Sequence, residues 1–531
     1  MTTVRTIALI GSGPMAIYTL KHLITHDHPL DITVFEASDQ AGLGMPYNPQ
    51  MNADYMLCNA FSREIPPPVA PLIDWLKHLP ERELSEWELS YHDLSARAFY
   101  PRVLIGEYLQ SQFQDLCDKA RAAGHTITVR TKTAVSDIVP DAAGGADVHW
   151  RNSGSGGATR YDAVVIASGH SWPRDPQIEG VPLISPWPYT RITQTPGDRI
   201  GILGSSLSAV DVVVALGHAR GRFEDIAGEV TWLPNNGEEN LSIAMVSHMG
   251  VMPEGDFYYP FPYGPAAHLT ADAVAGEVAK GTDGLLDRVF ALLLAELDEA
   301  DPAYLDSLAP GARTIEGFAP AYFALRHDLG GLRAVRRDRV AARESIRRKE
   351  TVPHRYVLLR GHEVFDDVLR DLSDADYQRF RKNLLPVFSD SYAAIPHLSL
   401  ARIIALYEAG VLSLLATGTQ SEFSQDADGT ISVQTEDGPV SFDAMIDARG
   451  QSPASLSALP FQSLAQNLEH PDRSISEPFQ LDVTGANASR IYCLALPQLL
   501  ERYPFTQGLV DCAEHARALA GHLLDRGVPE H

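Results

Sequence analysis

The sequence predicts an α/β protein made of two similar halves, and three observations predict it. Two apolar runs of strand length each break at a glycine turn and pass into an apolar helix. Thr6 to Ile10 leads into Gly11-Ser12-Gly13-Pro14-Met15-Ala16, and Arg199 to Leu203 leads into Gly204-Ser205-Ser206-Leu207-Ser208-Ala209. Each half then closes on an acidic residue and an apolar strand that runs into glycine, Asp162 through Ile166 to Gly169 in the first and Asp443 through Ile446 to Gly450 in the second. Lastly, a mostly helical pattern from about Tyr258 to Ala405 interrupts the second half. Strands alternating with helices assemble into parallel sheets. A repeat on this plan gives two Rossmann-like dinucleotide-binding domains with a mostly helical insertion.

The first turn has the surroundings that make it a phosphate site. Thr6 to Ile10 reads as a buried strand and Pro14 to Leu23 as the helix it feeds. Gly11 permits the tight turn, Gly13 lets the backbone approach a pyrophosphate, and the free N–H groups and dipole at the helix start favour an anion. Gly11, Ser12, Gly13, Pro14 and Met15 are therefore candidate cofactor contacts, against the alternative of a glycine turn that binds nothing. A second apolar run, Ile32 to Phe35, ends in Glu36, whose carboxylate can accept from both hydroxyls of a ribose that lacks a 2′-phosphate.

The second turn departs from the pattern, since Ser206 stands where the middle glycine belongs. Its flanks keep it in play: Ala209 to Leu216 is an apolar helical run. Gly204, Ser205, Ser206 and Ser208 are the candidate contacts there. Between the turn and the closing strand of each half lies a stretch of alternating β-formers, Thr126 to Trp150 and Leu412 to Val440, that reads as hairpins.

Composition excludes several classes of function. A chain of 531 residues with 45% hydrophobic and 21% charged residues is globular and long enough for two or three domains. The first strand begins by Thr6, which leaves no room for a secretory signal, and no run of about 20 apolar residues follows. A cytoplasmic protein is expected. The net charge of −25 opposes nucleic-acid and anionic-membrane partners. One basic stretch, Arg333 to Arg348, reads either as a solvated helix with internal ion pairs or as a funnel for an anionic ligand. The four cysteines, 58, 117, 493 and 512, form no Cys-x-x-Cys pair, so neither a zinc ribbon nor a redox disulfide is expected. His22 and His26 have the i, i+4 spacing of a metal pair but no glutamate base beside His22; a solvated helix end is the plainer reading, and no metal is expected.

Further motifs carry a resemblance. They are Gly42-Leu43-Gly44-Met45-Pro46-Tyr47, Leu57-Cys58-Asn59, Phe99-Tyr100-Pro101-Arg102 with Gly106, Tyr108 and Leu109, Ser247-His248-Met249-Gly250 and Pro504-Phe505-Thr506-Gln507-Gly508-Leu509. With the two turns, they make the chain resemble the two-dinucleotide-binding FAD and NAD(P)H flavoproteins. The nearest likeness is to the class B-like flavin monooxygenases that include amino-acid N-hydroxylases, and within these to a subgroup containing an L-aspartate N-hydroxylase that yields nitrosuccinate. The resemblance implies FAD in the first half and NADPH in the second. It places Gly44, Tyr47, Gly169 and Arg102 along the cofactor, Arg102 being equally readable as a helix cap or an ion-pair partner. Asn59 would reach the flavin ring as the candidate catalytic residue, or else form a turn. Gly508 and Leu509 would open a helix aimed at the flavin's pyrimidine edge. Ser247 and His248 stand where relatives carry Ser-Arg. A neutral imidazole makes one hydrogen bond where guanidinium makes two, so NADH use becomes credible beside NADPH.

The implied domains are 1–172 with 451–531 for FAD, 173–257 with 406–450 for NAD(P)H, and 258–405 as a helical cap over the substrate, or else a packing or oligomer domain. His397 and Arg402, beside Ala393-Ala394-Ile395-Pro396, are candidate substrate contacts, although an arginine on the apolar run Leu400 to Leu406 can equally snorkel or pair with an acid. The function expected from the resemblance is oxygenation of a small nucleophile by dioxygen through a C4a-hydroperoxyflavin, most nearly at the amine of a polar amino acid. A reductase without oxygen insertion and a non-catalytic FAD-binding sensor are the rivals. The subunit count, monomer or homo-oligomer, is left open.

Overall fold

The computed structural model describes residues 4–418, 421–485 and 489–525. The chain divides into two compact units, Met1–Trp172 with Gln451–His531, and Pro173–Gly450.

The first unit is built on a parallel sheet. Strands β1 (Thr6–Ile10), β2 (Asp31–Phe35), β3 (Thr126–Arg130) and β4 (Ala163–Ile166) join the strand Ile491–Cys493 in the order Ile491–Cys493, β4, β1, β2, β3. The inner strands are continuous apolar runs because both faces are covered. Helix α1 (Pro14–Leu23) lies against the C-terminal helix Leu509–Asp525, and Ala16, Ile17, Tyr18, Leu20 and Leu23 are buried there. The long helix α2 (Arg102–Ala122) packs beside α1 and β3. A three-stranded antiparallel sheet, Ala134–Pro140, Ala146–Arg151 and Gly156–Tyr161, is attached.

The second unit repeats the plan. Strand β5 (Arg199–Leu203) enters helix α3 (Leu207–Arg220). It pairs in parallel with β6 (Ser242–Ser247), which pairs with β7 (Leu412–Ala416), and on its other side with β8 (Ala444–Asp447). Its antiparallel appendage is Phe423–Gln425, Ile431–Thr435 and Gly438–Phe442. Between β6 and β7 the chain is helical, with α4 (Leu285–Ala300), α5 (Ile315–Leu329), α6 (Gly331–Arg348), α7 (Pro353–Leu369) and α8 (His397–Glu408) the longer members.

Two readings of the sequence are corrected. Thr126–Arg130 and Leu412–Ala416 open no hairpin; each is the parallel edge strand of its sheet. An edge strand is half exposed and alternates like a hairpin strand, which is why the pattern misleads. Helix α7 begins at Pro353, its start marked by proline at the first helical position.

The repeat extends to matching braces. Asp162 accepts the N–H groups of Arg5 and Thr6 at 3.0 Å each through one oxygen and pairs with Arg160 at 2.8 Å. Asp443 accepts those of Asp198 and Arg199 at 3.0 and 2.9 Å and pairs with the Arg199 side chain at 2.6 Å. Each carboxylate ties the start of the first strand to the strand that closes its unit.

Candidate functional site

At the end of β1 the backbone reverses through Gly11 at φ +104°, where an added Cβ would stand 2.3 Å from the Ala167 carbonyl oxygen. Only glycine fits there. The turn is held by Gly11 N–H to Phe35 O and Ala167 N–H to Ile10 O, both 2.8 Å. A Cβ on Gly13 would come 3.1 Å from the Gly44 Cα, and one on Gly44, itself at φ +76°, 2.8 Å from Pro14 Cδ. Two glycine backbones therefore pass each other beside the helix start. Pro14 takes the first position of α1, where its missing N–H costs nothing, and the N–H groups of Met15 and Ala16 have no intrahelical acceptor. The Met15 side chain is buried, so its contribution is backbone alone.

Glu36 is aimed by its neighbours. The Ser12 hydroxyl donates to one carboxylate oxygen at 2.5 Å, Ser38 N–H donates to the other at 2.8 Å, and Gly42 N–H donates to the Ser12 hydroxyl at 3.0 Å. Lone pairs remain on both carboxylate oxygens for further donors.

Around Tyr47 several polar groups gather. Gly106 inside α2 lets that helix sit on the Met45–Tyr47 turn, since a Cβ there would be 2.3 Å from the Tyr47 carbonyl oxygen. Burial pushes the Tyr47 phenol well above its ordinary range, reinforced by Cys58 and Cys512 and opposed by Arg102. Arg102 opens α2, its N–H donating to Met56 O at 2.8 Å and its Nε to Leu57 O at 3.2 Å. Burial, with the charge of Arg102 adding, lowers the His170 imidazole to about 4. His170 stacks on Trp172, and its buried Nδ1 has no hydrogen-bond partner among the described residues. Asn59, next to Cys58, is half buried, and among the described residues its carboxamide has no hydrogen-bond partner. Gly169 is at φ +70° with nothing within 4 Å of a built Cβ. Gly508 is exposed and donates to Asp511 at 3.2 Å, capping the C-terminal helix at Leu509.

These groups suit FAD: a backbone cradle for the pyrophosphate, a carboxylate for the ribose, and unpaired donors and acceptors at Asn59 and His170. The cysteines do not offer a redox pair. All four are free, and burial raises Cys117 to about 11 and Cys493 to about 12.

The turn in the second unit has the same skeleton. Gly204 is at φ +122°, a Cβ would meet Ala448 O at 2.7 Å, and Gly204 N–H donates to Val246 O at 2.8 Å. The Ser205 hydroxyl donates to Val251 O at 2.6 Å, Ser206 is exposed at the cap of α3, and Ser208 lies in its first turn. Ile10 pairs with Phe35 and Leu203 with Val246, so Ser247 occupies the place of Glu36. Its hydroxyl oxygen is buried with no hydrogen-bond partner among the described residues. His248 is exposed, and its Nδ1 lies 2.7 Å from Gly418 O, which puts a proton on Nδ1.

The two substrate candidates part company. His397 opens α8, is lowered by burial, and sits beside the Asp256 backbone. Arg402, five residues on, stacks its guanidinium 5.9 Å from the Phe223 ring. Five residues along a helix turn a side chain to another face. In α6, Arg339 and Arg343 bind Glu229, Arg336 binds Glu408, and Arg347 and Arg348 bind Glu344, so much of the basic stretch is neutralised, partly by residues outside the helix. Asp338 turns inward to Arg355. Helix α1 ends at Leu23, so His22 and His26 share no helical face; among the described residues no group of three or more metal-ligating side chains occurs.

Sequence reasoning quoted Gly106 as part of the resemblance without its role on the Met45–Tyr47 turn, and it missed His170 and the Ser12–Glu36 bond. A glycine in a helix interior is costly, and the close approach at Gly106 could have been read on that ground. The other two had no local signal.

Among the described residues, no helix is long and apolar enough to cross a membrane. Residues 8–171 match the FAD-NAD(P)-binding family and residues 270–392 the YdhS-like middle domain. The uncharacterized protein YdhS of Escherichia coli (strain K12) is 37% identical over 97% of this chain and 96% of its own length. L-lysine 6-monooxygenase from Pseudomonas syringae superposes with a TM-score of 0.53 at 17% identity, over 99% of this chain and 100% of that one. DfoA, a cadaverine monooxygenase of Erwinia amylovora solved with FAD, gives 0.51 at 13% identity over 100% and 97%. The chain belongs to the YdhS family and is an FAD- and NAD(P)-binding flavoprotein related in fold to the flavin monooxygenases.

Proposed function

We propose that the protein is an NAD(P)H-consuming monooxygenase that N-hydroxylates the amine of a small polar amino acid, aspartate-like in size. The observation that carries this reading is the pair of glycine turns with unlike ends. One finishes in Glu36, which suits an unphosphorylated ribose, and the other in Ser247 and His248, which offer neutral hydrogen-bonding groups to a ribose with or without a 2′-phosphate. Solved structures of like fold carry the names of lysine and cadaverine monooxygenases, which supports an amine as the group oxidised.

Gly11 to Met15 would hold the FAD pyrophosphate and Glu36 its ribose. Gly44, Tyr47, Asn59, Arg102, Gly169, Gly508 and Leu509 would line the rest of the cofactor. Gly204, Ser205, Ser206, Ser208, Ser247 and His248 would hold the nicotinamide nucleotide. When bound, FAD accepts hydride from the nicotinamide and activates dioxygen for transfer of one oxygen atom to a nucleophile. The chain's part is to position and to exclude water. Asn59 offers both a donor and an acceptor to the ring, and the high pKa of Tyr47 keeps its phenol a hydrogen-bond donor at neutral pH. His397 is the stronger of the two substrate candidates, because burial keeps its imidazole neutral.

The test uses purified protein. It should be yellow, bleach with NADPH or NADH under argon, and in air consume nicotinamide faster with one amino acid of a panel, forming hydroxylamine. Bleaching followed by hydrogen peroxide alone with every amine would make it a reductase or oxidase. No bleaching would make it a sensor.

A further inference from the structure

The helical part of the second unit contains an interior set of charged groups that the redox reading does not use. Arg326, on α5, binds Asp390 at 2.7 Å and Met252 O at 2.8 Å, and the Tyr322 hydroxyl donates to the same Asp390 oxygen at 2.7 Å. Arg355, on α7, binds Asp338 at 3.2 Å, Glu254 at 3.3 Å and Gly255 O at 2.7 Å. Asp256 also faces Arg355, and Asp301 binds His354 Nδ1 at 2.8 Å. Carboxylates therefore outnumber guanidiniums. Arg326 is committed to one carboxylate and a carbonyl, and Arg355 to two carboxylates and a carbonyl, so the charge in excess is negative.

Of the carboxylates paired with these two arginines, Glu254 is the most accessible. Burial penalises both carboxyls of the Glu254–Asp338 pair, but the arginines hold Glu254 ionised while Asp338 rises to about 6. The Glu254 side chain is also 22% exposed, against 9% for Asp338 and 6% for Arg355. Within range of its charge lie two rings with open tips. Tyr304 stacks on His354 with centroids 3.8 Å apart and planes 6° from parallel. Both sense the Glu254 charge, Tyr304 is deeply buried, and neither its hydroxyl nor His354 Nε2 has a hydrogen-bond partner among the described residues. Burial keeps His354 neutral, and Asp301 fixes its proton on Nδ1, so Nε2 is an acceptor.

We infer that Glu254, His354 Nε2 and the Tyr304 hydroxyl form a binding site for the primary ammonium group of a small organic amine. An ammonium has three N–H donors and no acceptor, and the site offers a carboxylate, an imidazole nitrogen and a phenolic oxygen, one charged and two neutral. A carboxylate or phosphate ligand would find the arginines already occupied. The site is built within this unit and stands whether or not the amine it holds is the group oxidised.

Calorimetric titration of the oxidised, FAD-loaded full chain without nicotinamide tests it. The probes are n-butylamine, 1-butanol and butyltrimethylammonium. Butylamine should bind at least about tenfold more tightly than either of the others, and Glu254→Gln should weaken it by about tenfold or more. Tyr304→Phe should weaken it about threefold while leaving the circular dichroism spectrum and Tm in place. Equal binding of butanol or of the trimethylated cation overturns the site, as does wild-type affinity in Glu254→Gln. If Glu254→Gln does not fold, Tyr304→Phe decides alone, because its ring keeps the stack on His354; unchanged affinity there overturns the site. No turnover occurs in this measurement, so failed oxygenation leaves it intact, and failed amine binding leaves the flavin chemistry intact.

Discussion

The two glycine turns share a skeleton and differ in what crosses them. Gly11 and Gly204 have the same left-handed backbone, pressed against Ala167 and Ala448 respectively. The middle place of the motif differs: a Cβ on Gly13 would press on the Gly44 backbone at 3.1 Å, whereas Ser206 is exposed. A serine in the second turn is therefore a residue its surroundings allow. Likewise Glu36 is aimed by Ser12 and Ser38, while Ser247, in the same register, is buried with an unused hydroxyl. One skeleton thus presents a carboxylate in the first unit and a neutral hydroxyl in the second.

The comparison is broken most directly at the shared glycines. Gly11→Val places a side chain against the Ala167 carbonyl at a φ that valine avoids, and the purified variant should lose essentially all flavin absorbance near 450 nm. Gly204→Val should remain yellow yet bleach with NADPH or NADH under argon at least about a hundredfold more slowly, which at RT ln 100 is roughly 3 kcal/mol. A colourless Gly204→Val, or a yellow Gly11→Val, would reverse the assignment of nucleotides to units.

Much of this was legible in the sequence, for a physical reason. Thr6–Ile10, Pro14–Leu23 and Arg199–Leu203 have the bounds read from the sequence, because buried parallel strands and the helices they feed are dictated by local apolar runs and glycine turns. Thr126–Arg130 and Leu412–Ala416 were misread because pairing direction is a long-range property, invisible to alternation. The same holds for function. Gly11, Gly13 and Glu36 announce themselves by spacing. The aim of Glu36, the neutral His170 and the Glu254–His354–Tyr304 group depend on residues brought together from far apart in the chain. The ring contact of Arg402 was invisible for a related reason: Phe223, over which it stacks, lies on a distant hairpin.

The ends of the strands that follow each turn sharpen the comparison. Ser247→Asp transfers the chemistry of Glu36 to the second unit, and its carboxylate would repel a 2′-phosphate. The ratio of kcat/KM for flavin reduction by NADPH over NADH should fall by about tenfold or more. His248→Arg should move the same ratio upward by about fivefold, since a guanidinium offers two charge-assisted bonds in place of one imidazole contact. A ratio unmoved in both variants would mean that this strand end does not touch the ribose.

The smallest effects are expected at the paired braces, and they should differ in a defined way. Asp162 has 17% of its side chain exposed and Asp443 31%, so Asp162→Asn should cost about 2 kcal/mol and Asp443→Asn about 1 kcal/mol of unfolding free energy in urea. For Asp162, burial works against the charge but Arg160 and the N–H groups of Thr6 and Arg5 outweigh it; for Asp443, the Arg199 side chain and N–H dominate. Both carboxyls are thus held below their ordinary 3.8. In each case the unfolded chain takes up the proton first as pH falls, so the stabilisation is complete above the unfolded value of about 3.9 and is lost as pH drops through the folded one. Urea titrations between pH 3 and pH 6 should show each Asn variant losing less stability on acidification than the parent, with the larger flattening at Asp162. Equal flattening at both sites would show that exposure does not set the strength of this brace.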